Sequence, residues 1–178
     1  MTWLHALIQG LWVILPAYIA NGAAPILGGE RRMDFGKTFR GNDLLGGGKT
    51  WEGFAFAIAS GTSVGFLQTI FWPYANEFAA IGGYSLPRMT VIIAFLISVL
   101  AMFGDALASF FKRRLSLERG KGVPLLDQLD FLILPLPLVI ILSKISYLSL
   151  ILILVVTPPI HFLFNLLAYH LGLKEVPW

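Results

Sequence analysis

The sequence predicts an all-α integral membrane protein with about five transmembrane helices, some kinked at proline, and three observations carry that prediction. Of 178 residues, 57% are hydrophobic and only 13% charged, which points to a bilayer rather than a soluble domain. Apolar stretches recur along the chain, and most can cross a membrane at the helical rise of ~1.5 Å per residue. The net charge of +3 is strongly segregated. Arg31, Arg32, Lys37, Arg40 and Lys49 lie in one connection and Lys112, Arg113, Arg114, Arg119 and Lys121 in another; only Arg88, Lys144 and Lys174 lie elsewhere. Placing both basic connections in the cytoplasm follows the positive-inside tendency. It gives five spans in the cell membrane, N-terminus outside and C-terminus inside, with residues 1–178 read as a single membrane domain.

The first span runs from Trp3 to about Leu27, with Pro16 a candidate kink. Asn21, Gly22, Pro25, Gly28 and Gly29 suggest that its inner end loosens. Gly53 to Trp72 is the second span, where Gly61 and Gly65 have the small-xxx-small spacing of close helix packing. Trp72, Pro73 and Tyr74 mark an interface, and the base-poor connection to Pro87 reads as external. Met89 to about Phe111 is the third span. The fourth, about Leu129 to Leu142, is short and carries Pro135 and Pro137; Tyr147 to about Leu171, with Pro158 and Pro159, is the fifth. Lys144 can snorkel between them. No cationic segment precedes the first apolar run, which argues against a cleaved signal peptide. The absence of cysteine excludes disulfides and thiolate metal sites. Nucleic acid explains the two short basic clusters poorly, since both are enclosed between spans.

The stretch from Gly104 to Asp130 carries the most chemistry. On a helix Asp105, Ser109 and Lys112 fall at i, i+4 and i+7 on one face, and Asp127 and Asp130 at i and i+3 likewise share one. Carboxylates at two membrane-entry points, with bases between them, suit a divalent metal and a polyphosphate. A loop whose acids merely pair with its bases would account for the basic residues. It accounts poorly for Asp105, because a carboxylate set into an apolar run is costly. In the other basic connection Gly46, Gly47 and Gly48 precede Lys49 and Thr50, and glycines let backbone N–H groups approach phosphate oxygens. This is no Walker A loop: its first glycine would fall at Asp43, and no strand precedes it. Arg31, Arg32, Lys37 and Arg40 could contact phosphate or anionic headgroups, or simply set orientation.

Asn21 could read a nucleobase edge, orient a metal ligand, or satisfy a neighbouring helix. His161 and Asn165 read as an interhelical hydrogen-bonding pair. The three histidines (His5, His161, His170) lie outside both basic connections and support neither a zinc centre nor a serine triad.

These motifs resemble a known family. Gly104-Asp105, Ser109, Lys112-Arg113, Lys121, Pro124 and Asp127-x-x-Asp130 resemble the signature of the CTP:phosphatidate cytidylyltransferases (CDP-diacylglycerol synthases), and Lys49-Thr50-Trp51-Glu52-Gly53 resembles their second motif. Asn21-Gly-Ala-Ala-Pro25 and the short length are more similar to the archaeal branch, whose members make CDP-archaeol. Leu125-Leu126 stands where the bacterial pattern has His-Gly-Gly, Gly122 where it has aspartate and Phe131 where it has serine, so no role is carried over there. The resemblance implies Mg²⁺-dependent transfer of cytidylyl from CTP to an unsaturated archaeal dialkylglycerol phosphate, a bis-geranylgeranylglycerol phosphate. It implies Asp105, Asp127 and Asp130 as metal ligands and Lys112 at the reacting phosphate. It also implies Asn21, Gly46, Gly47, Gly48, Lys49, Thr50, Ser109, Arg113 and Lys121 around the nucleotide. Phosphatidate as substrate remains the nearer alternative and a small transporter the more distant one. A CDP-alcohol phosphotransferase pattern is not met, because Ala106-Leu107 follows Asp105. Oligomeric state stays open, a homodimer included.

Overall fold

In the computed structural model, which describes residues 2–117, 122–143 and 145–172, hydroxyl caps start the long helices. Thr2 accepts from His5 N–H at the head of α1 (Trp3–Leu27), and a short antiparallel hairpin of β1 (Thr38–Phe39) and β2 (Asn42–Asp43) follows. Thr50 accepts from Gly53 N–H at the head of α2 (Trp51–Ile81), and Thr90 from Ile93 N–H at the head of α3 (Val91–Arg114). After α4 (Leu126–Ile133) and α5 (Pro135–Ser143), Ser146 caps α6 (Tyr147–His170) through Ser149 N–H. Lys112, Arg113 and Arg114 fill the last turn of α3, where cations oppose the negative end of the helix dipole.

The chain crosses back and forth. The start of α1 touches the α2–α3 connection, since His5 and Gln9 both hydrogen-bond Ser85. The loop after α1 meets the end of α3, where Arg114 donates to the Asp43 carbonyl oxygen. These contacts put the two basic connections together at one end of the bundle, as expected. Helix α6 runs parallel to α1: Gly10 approaches Ser149 and Ile153, and Tyr18 bonds the Thr157 hydroxyl at 2.6 Å. Among the described residues four helices are long and apolar enough to cross a membrane, and α4 with α5, bent by 46°, makes up to five if the pair is one span. The bend falls at Pro135, which cannot continue the ladder.

Small residues let these helices meet, because lipid supplies no hydrophobic drive to push them together. A Cβ at Gly61 would strike the Ser98 hydroxyl and the Pro16 carbonyl, and one at Gly65 would overlap the Ala94 methyl. The glycine pair is thus spent inside the chain, between α1 and α3. Val13, Ile14, Ala17, Ile97, Ala101, Phe131 and Ile153 fill the common core.

Several expected boundaries move. The second helix does not stop at Trp72 but runs through Pro73 to Ile81, because a helix interior in a membrane protein tolerates proline and Ala75, Ala79 and Ala80 favour continuation. At 31 residues it is ~46 Å long, well beyond a ~30 Å hydrocarbon layer. The end of α1 stays helical to Leu27 despite Asn21, Gly22 and Pro25. His161 and Asn165 bond each other within α6 at 3.1 Å, while the His161 ring stacks on Phe131 of α4.

Candidate active site

The connection between α1 and α2 folds around one buried carboxylate, Asp34. Its Oδ1 accepts from Arg32 Nε (3.0 Å) and Gly36 N–H (2.9 Å), and its Oδ2 from Arg32 Nη2 (3.2 Å) and the N–H groups of Leu45 and Gly46 (3.0 Å each). The side chain is wholly covered. Burial pushes the Asp34 carboxyl up, but the N–H of Leu45, the Arg32 guanidinium and the N–H groups of Gly36 and Gly46 outweigh it and hold it at about 2. Arg32 also bridges to Asp43 at 2.8 Å, tying the hairpin to the same centre. Gly46 has φ +92, a backbone conformation costly to residues with a Cβ. The Thr50 hydroxyl donates to Gly28 O (2.7 Å) while capping α2, so it locks both ends of the connection.

This clipped loop delivers Lys49 to the end of α3, where its Nζ meets Asp105 Oδ2 at 2.5 Å. About two turns further along α3, Lys112 Nζ meets Asp127 Oδ1 at 2.9 Å, and Asp127 Oδ2 accepts Val123 N–H. Helices α3 and α4 touch at Gly104, where a Cβ would overlap the carbonyl oxygen of Asp130. That contact brings the buried Asp130 carboxylate under the charges of Asp105, Lys49 and Lys112. Between loop and helix lies a recess of about 150 Å³ lined by Leu45, Gly46, Gly48, Lys49, Ser109, Lys112 and Arg113. Arg113 Nε is buried with no hydrogen-bond partner among the described residues.

Most of the expected site residues therefore converge. Asp105, Ser109 and Lys112 share one face of α3, and Lys49, Gly46 and Gly48 cross to it from the other connection. Gly47 is half-buried beside them, and Asn21 is half-buried on α1, outside these ion pairs. Lys121, with Arg119, Lys144 and Lys174, lies outside the described residues. Among the described residues no three His, Cys, Asp or Glu side chains form a protein-only metal cage. Asp105 Oδ1 and Asp130 Oδ2 accept no hydrogen bond among them. Two such oxygens, completed by water and phosphate, are the kind of ligand set Mg²⁺ takes. The residues fit that ion.

The chain is similar to known proteins over nearly its whole length. A family model described as CarS-like, CDP-archaeol synthase, matches residues 3–178. The chain belongs to the CDP-archaeol synthase family. It is 47% identical over 173 residues to the CDP-archaeol synthase of Methanocaldococcus jannaschii, covering 97% of each chain. It is 42% identical over 176 residues to that of Pyrococcus abyssi, covering 98% of this chain and 100% of the relative. A solved structure described as an intramembrane enzyme for archaeal membrane lipids biosynthesis superposes with a TM-score of 0.75 at 32% identity, over 89% of this chain and 94% of that one. This family member is an enzyme, and its several apolar helices fit a multi-pass membrane protein.

In this member of the CDP-archaeol synthase family the sequence reading missed two residues that build the site, Asp34 and Arg114. Asp34 had a local signal, an acid two residues before a glycine that suits an Asx-turn. Arg114 had none. Its guanidinium lies between the Phe39 and Phe110 rings, 5.1 and 4.9 Å from their centroids, and only the folded hairpin supplies Phe39.

Proposed function

We propose that this chain transfers cytidylyl from CTP to the phosphate of an unsaturated dialkylglycerol phosphate, giving a CDP-lipid and pyrophosphate, with Mg²⁺ required. One observation carries the reading: a phosphate-sized recess bears cations from both basic connections, two of which, Lys49 and Lys112, pair with the Asp105 and Asp127 carboxylates. Its volume is below the ~300 Å³ of a complete small-molecule pocket, which suits the phosphate portion of a nucleotide whose base and ribose lie further out. Lys49, Lys112 and Arg113 offset the charges of Asp105, Asp127 and Asp130 almost one for one. Such a site has little net charge with which to hold a triphosphate until a divalent cation joins it. Mg²⁺, held by Asp105 and Asp130, would supply that positive charge and neutralise the leaving pyrophosphate.

In the proposed reaction an oxygen of the lipid phosphate bonds to the α-phosphorus, and the bond from that phosphorus to the bridging oxygen breaks, the electron pair leaving with pyrophosphate. The attacking monoester is already largely ionised at neutral pH, with a second pKa of about 6. No side chain has to act as general base. Lys49 and Arg113 bind the triphosphate oxygens, and Lys112 takes up charge at the reacting phosphate.

A lipid path supports the same substrate class. Trp51, two residues from Lys49, opens an apolar groove of about 680 Å³ that continues past Phe54, Ala55, Ile58 and Ala59 to Phe95. The hydroxyls of Thr62 and Ser63 in that groove donate back to the carbonyls of Ile58 and Ala59, so they present little polarity to a chain lying there. Isoprenoid chains would occupy it while the phosphate reaches the recess. The excess of bases at this end supports a cytoplasmic site with the N-terminus outside.

Asp105→Asn tests the assignment. CDP-lipid formation from CTP in Mg²⁺ should fall at least a hundredfold, while the purified variant keeps wild-type helicity and thermal stability. Turnover within a few-fold of wild type would remove Asp105 from the site.

A further inference from the structure

The nucleotide recess has two walls of different origin. One is the last turns of α3, carrying Ser109, Lys112 and Arg113; the other is the loop segment with Leu45, Gly46, Gly48 and Lys49. Nothing covalent holds the second wall against the first within about 60 residues of chain. Lys49 pairs with Asp105 across them, and the rest of the loop is tied to α3 by Arg114. Its Nη1 donates to Phe39 O (3.1 Å) and its Nη2 to Asn42 O (3.4 Å) and Asp43 O (2.5 Å), so three hairpin carbonyls converge on one cation. Phe39 and Phe110 cover the guanidinium, one ring from the hairpin and one from α3. Asn42 Nδ2 donates to the Ser116 hydroxyl at 3.3 Å beside it. No carboxylate pairs with Arg114 among the described residues, and its neighbour Arg113 lines the recess instead.

We infer that Arg114 is a positioning residue for the nucleotide: by pinning the hairpin of residues 38–43 to the end of α3 it sets the separation between Gly46–Lys49 and Ser109–Arg113, and so the affinity for the triphosphate. The inference rests on the proposed CTP reading of the recess. Lysine cannot replace Arg114, because an ammonium has no planar fork to lie between two rings while reaching three carbonyls. Without the latch the loop wall must be ordered each time a nucleotide binds, and ordering even one or two side chains costs about tenfold in affinity.

The test uses Arg114→Gln and Arg114→Lys in the full-length protein, with hydrogen exchange of residues 38–46 and steady-state kinetics read side by side. Both variants should exchange these amides at least tenfold faster. Their KM for CTP should rise about tenfold, with kcat and the KM for lipid phosphate changed less than threefold. The chain has no cysteine, so Asn42→Cys with Ser116→Cys can be added to Arg114→Gln to cross-link the hairpin to α3. Oxidation should restore the KM for CTP and a reducing agent should abolish the rescue. A KM for CTP unchanged in Arg114→Gln despite faster exchange, or a formed cross-link that leaves KM high, overturns the inference. A wild-type protein that makes no CDP-lipid from CTP overturns the functional reading instead. In that event unchanged exchange in Arg114→Gln still refutes the latch.

Discussion

Replacing Asp34 by Asn separates the loop from the bundle. A carboxyl held at about 2 rather than the usual 3.8 represents about 2 kcal/mol of preferential interaction with its ionised form, at ~1.36 kcal/mol for each tenfold. The amide removes the charge and turns one acceptor oxygen into a donor. Whichever oxygen is replaced, at least two of the five N–H groups now aimed at Asp34 lose their partner. An unsatisfied buried donor costs ~1–3 kcal/mol, so opening of the loop should become easier by about 2–3 kcal/mol. The amides of Leu45 and Gly46 should then exchange roughly 30- to 150-fold faster at neutral pH. The thermal transition of the helical bundle should barely move, because Asp34 contacts only its own connection. The pH dependence has a definite sign. The closed loop lowers the Asp34 pKa, so the open loop binds more protons between pH 2 and 4. Protection is therefore complete above about pH 4, falls as pH drops towards 2, and shows no such step in Asp34→Asn. Hydrogen exchange by mass spectrometry at several pH values checks this. Leu45 and Gly46 amides that exchange at the wild-type rate in the variant would refute the account of the loop.

Two further substitutions probe the bundle itself. Gly104→Ala should push α3 away from α4, because the new methyl would meet the Asp130 carbonyl oxygen; a loss of ~1–3 kcal/mol in stability and a larger loss of turnover are expected, read by thermal unfolding and CDP-lipid assay. Gly22→Ala has open space around it on a continuous helix and should leave stability unchanged or raise it by up to ~1 kcal/mol, as a melting curve would record.

How far the site was legible in the sequence varied by residue. Asp105, Ser109 and Lys112 span about two helical turns at i, i+4 and i+7, so periodicity alone put them on one face. The same rule paired Asp127 with Asp130. The placement of the two basic connections at one end also followed, from charge segregation and the two spans that separate them. Pro73 misled, since a proline stops a helix by losing one hydrogen bond and clashing with one carbonyl, and a membrane helix end can absorb both. The partner of each lysine was not legible. Lys49 chooses Asp105 from 56 residues away, and nothing within either segment encodes that distance.

By itself, then, the chain's order of residues determined what depends on neighbours a few positions apart. That covers the apolar lengths, the Thr and Ser caps, the helical faces and the motifs that mark the CDP-archaeol synthase family. Tertiary structure alone decided how charges are shared: Lys49 with Asp105, Lys112 with Asp127, Asp34 with two turns of its own loop, Arg114 with the hairpin. Hydropathy and helix capping are sums over local chain and can be read in one dimension. A Coulombic or hydrogen-bonding partner is fixed by separation in space, and here that separation is set by how closely glycines such as Gly61, Gly65 and Gly104 let the helices approach.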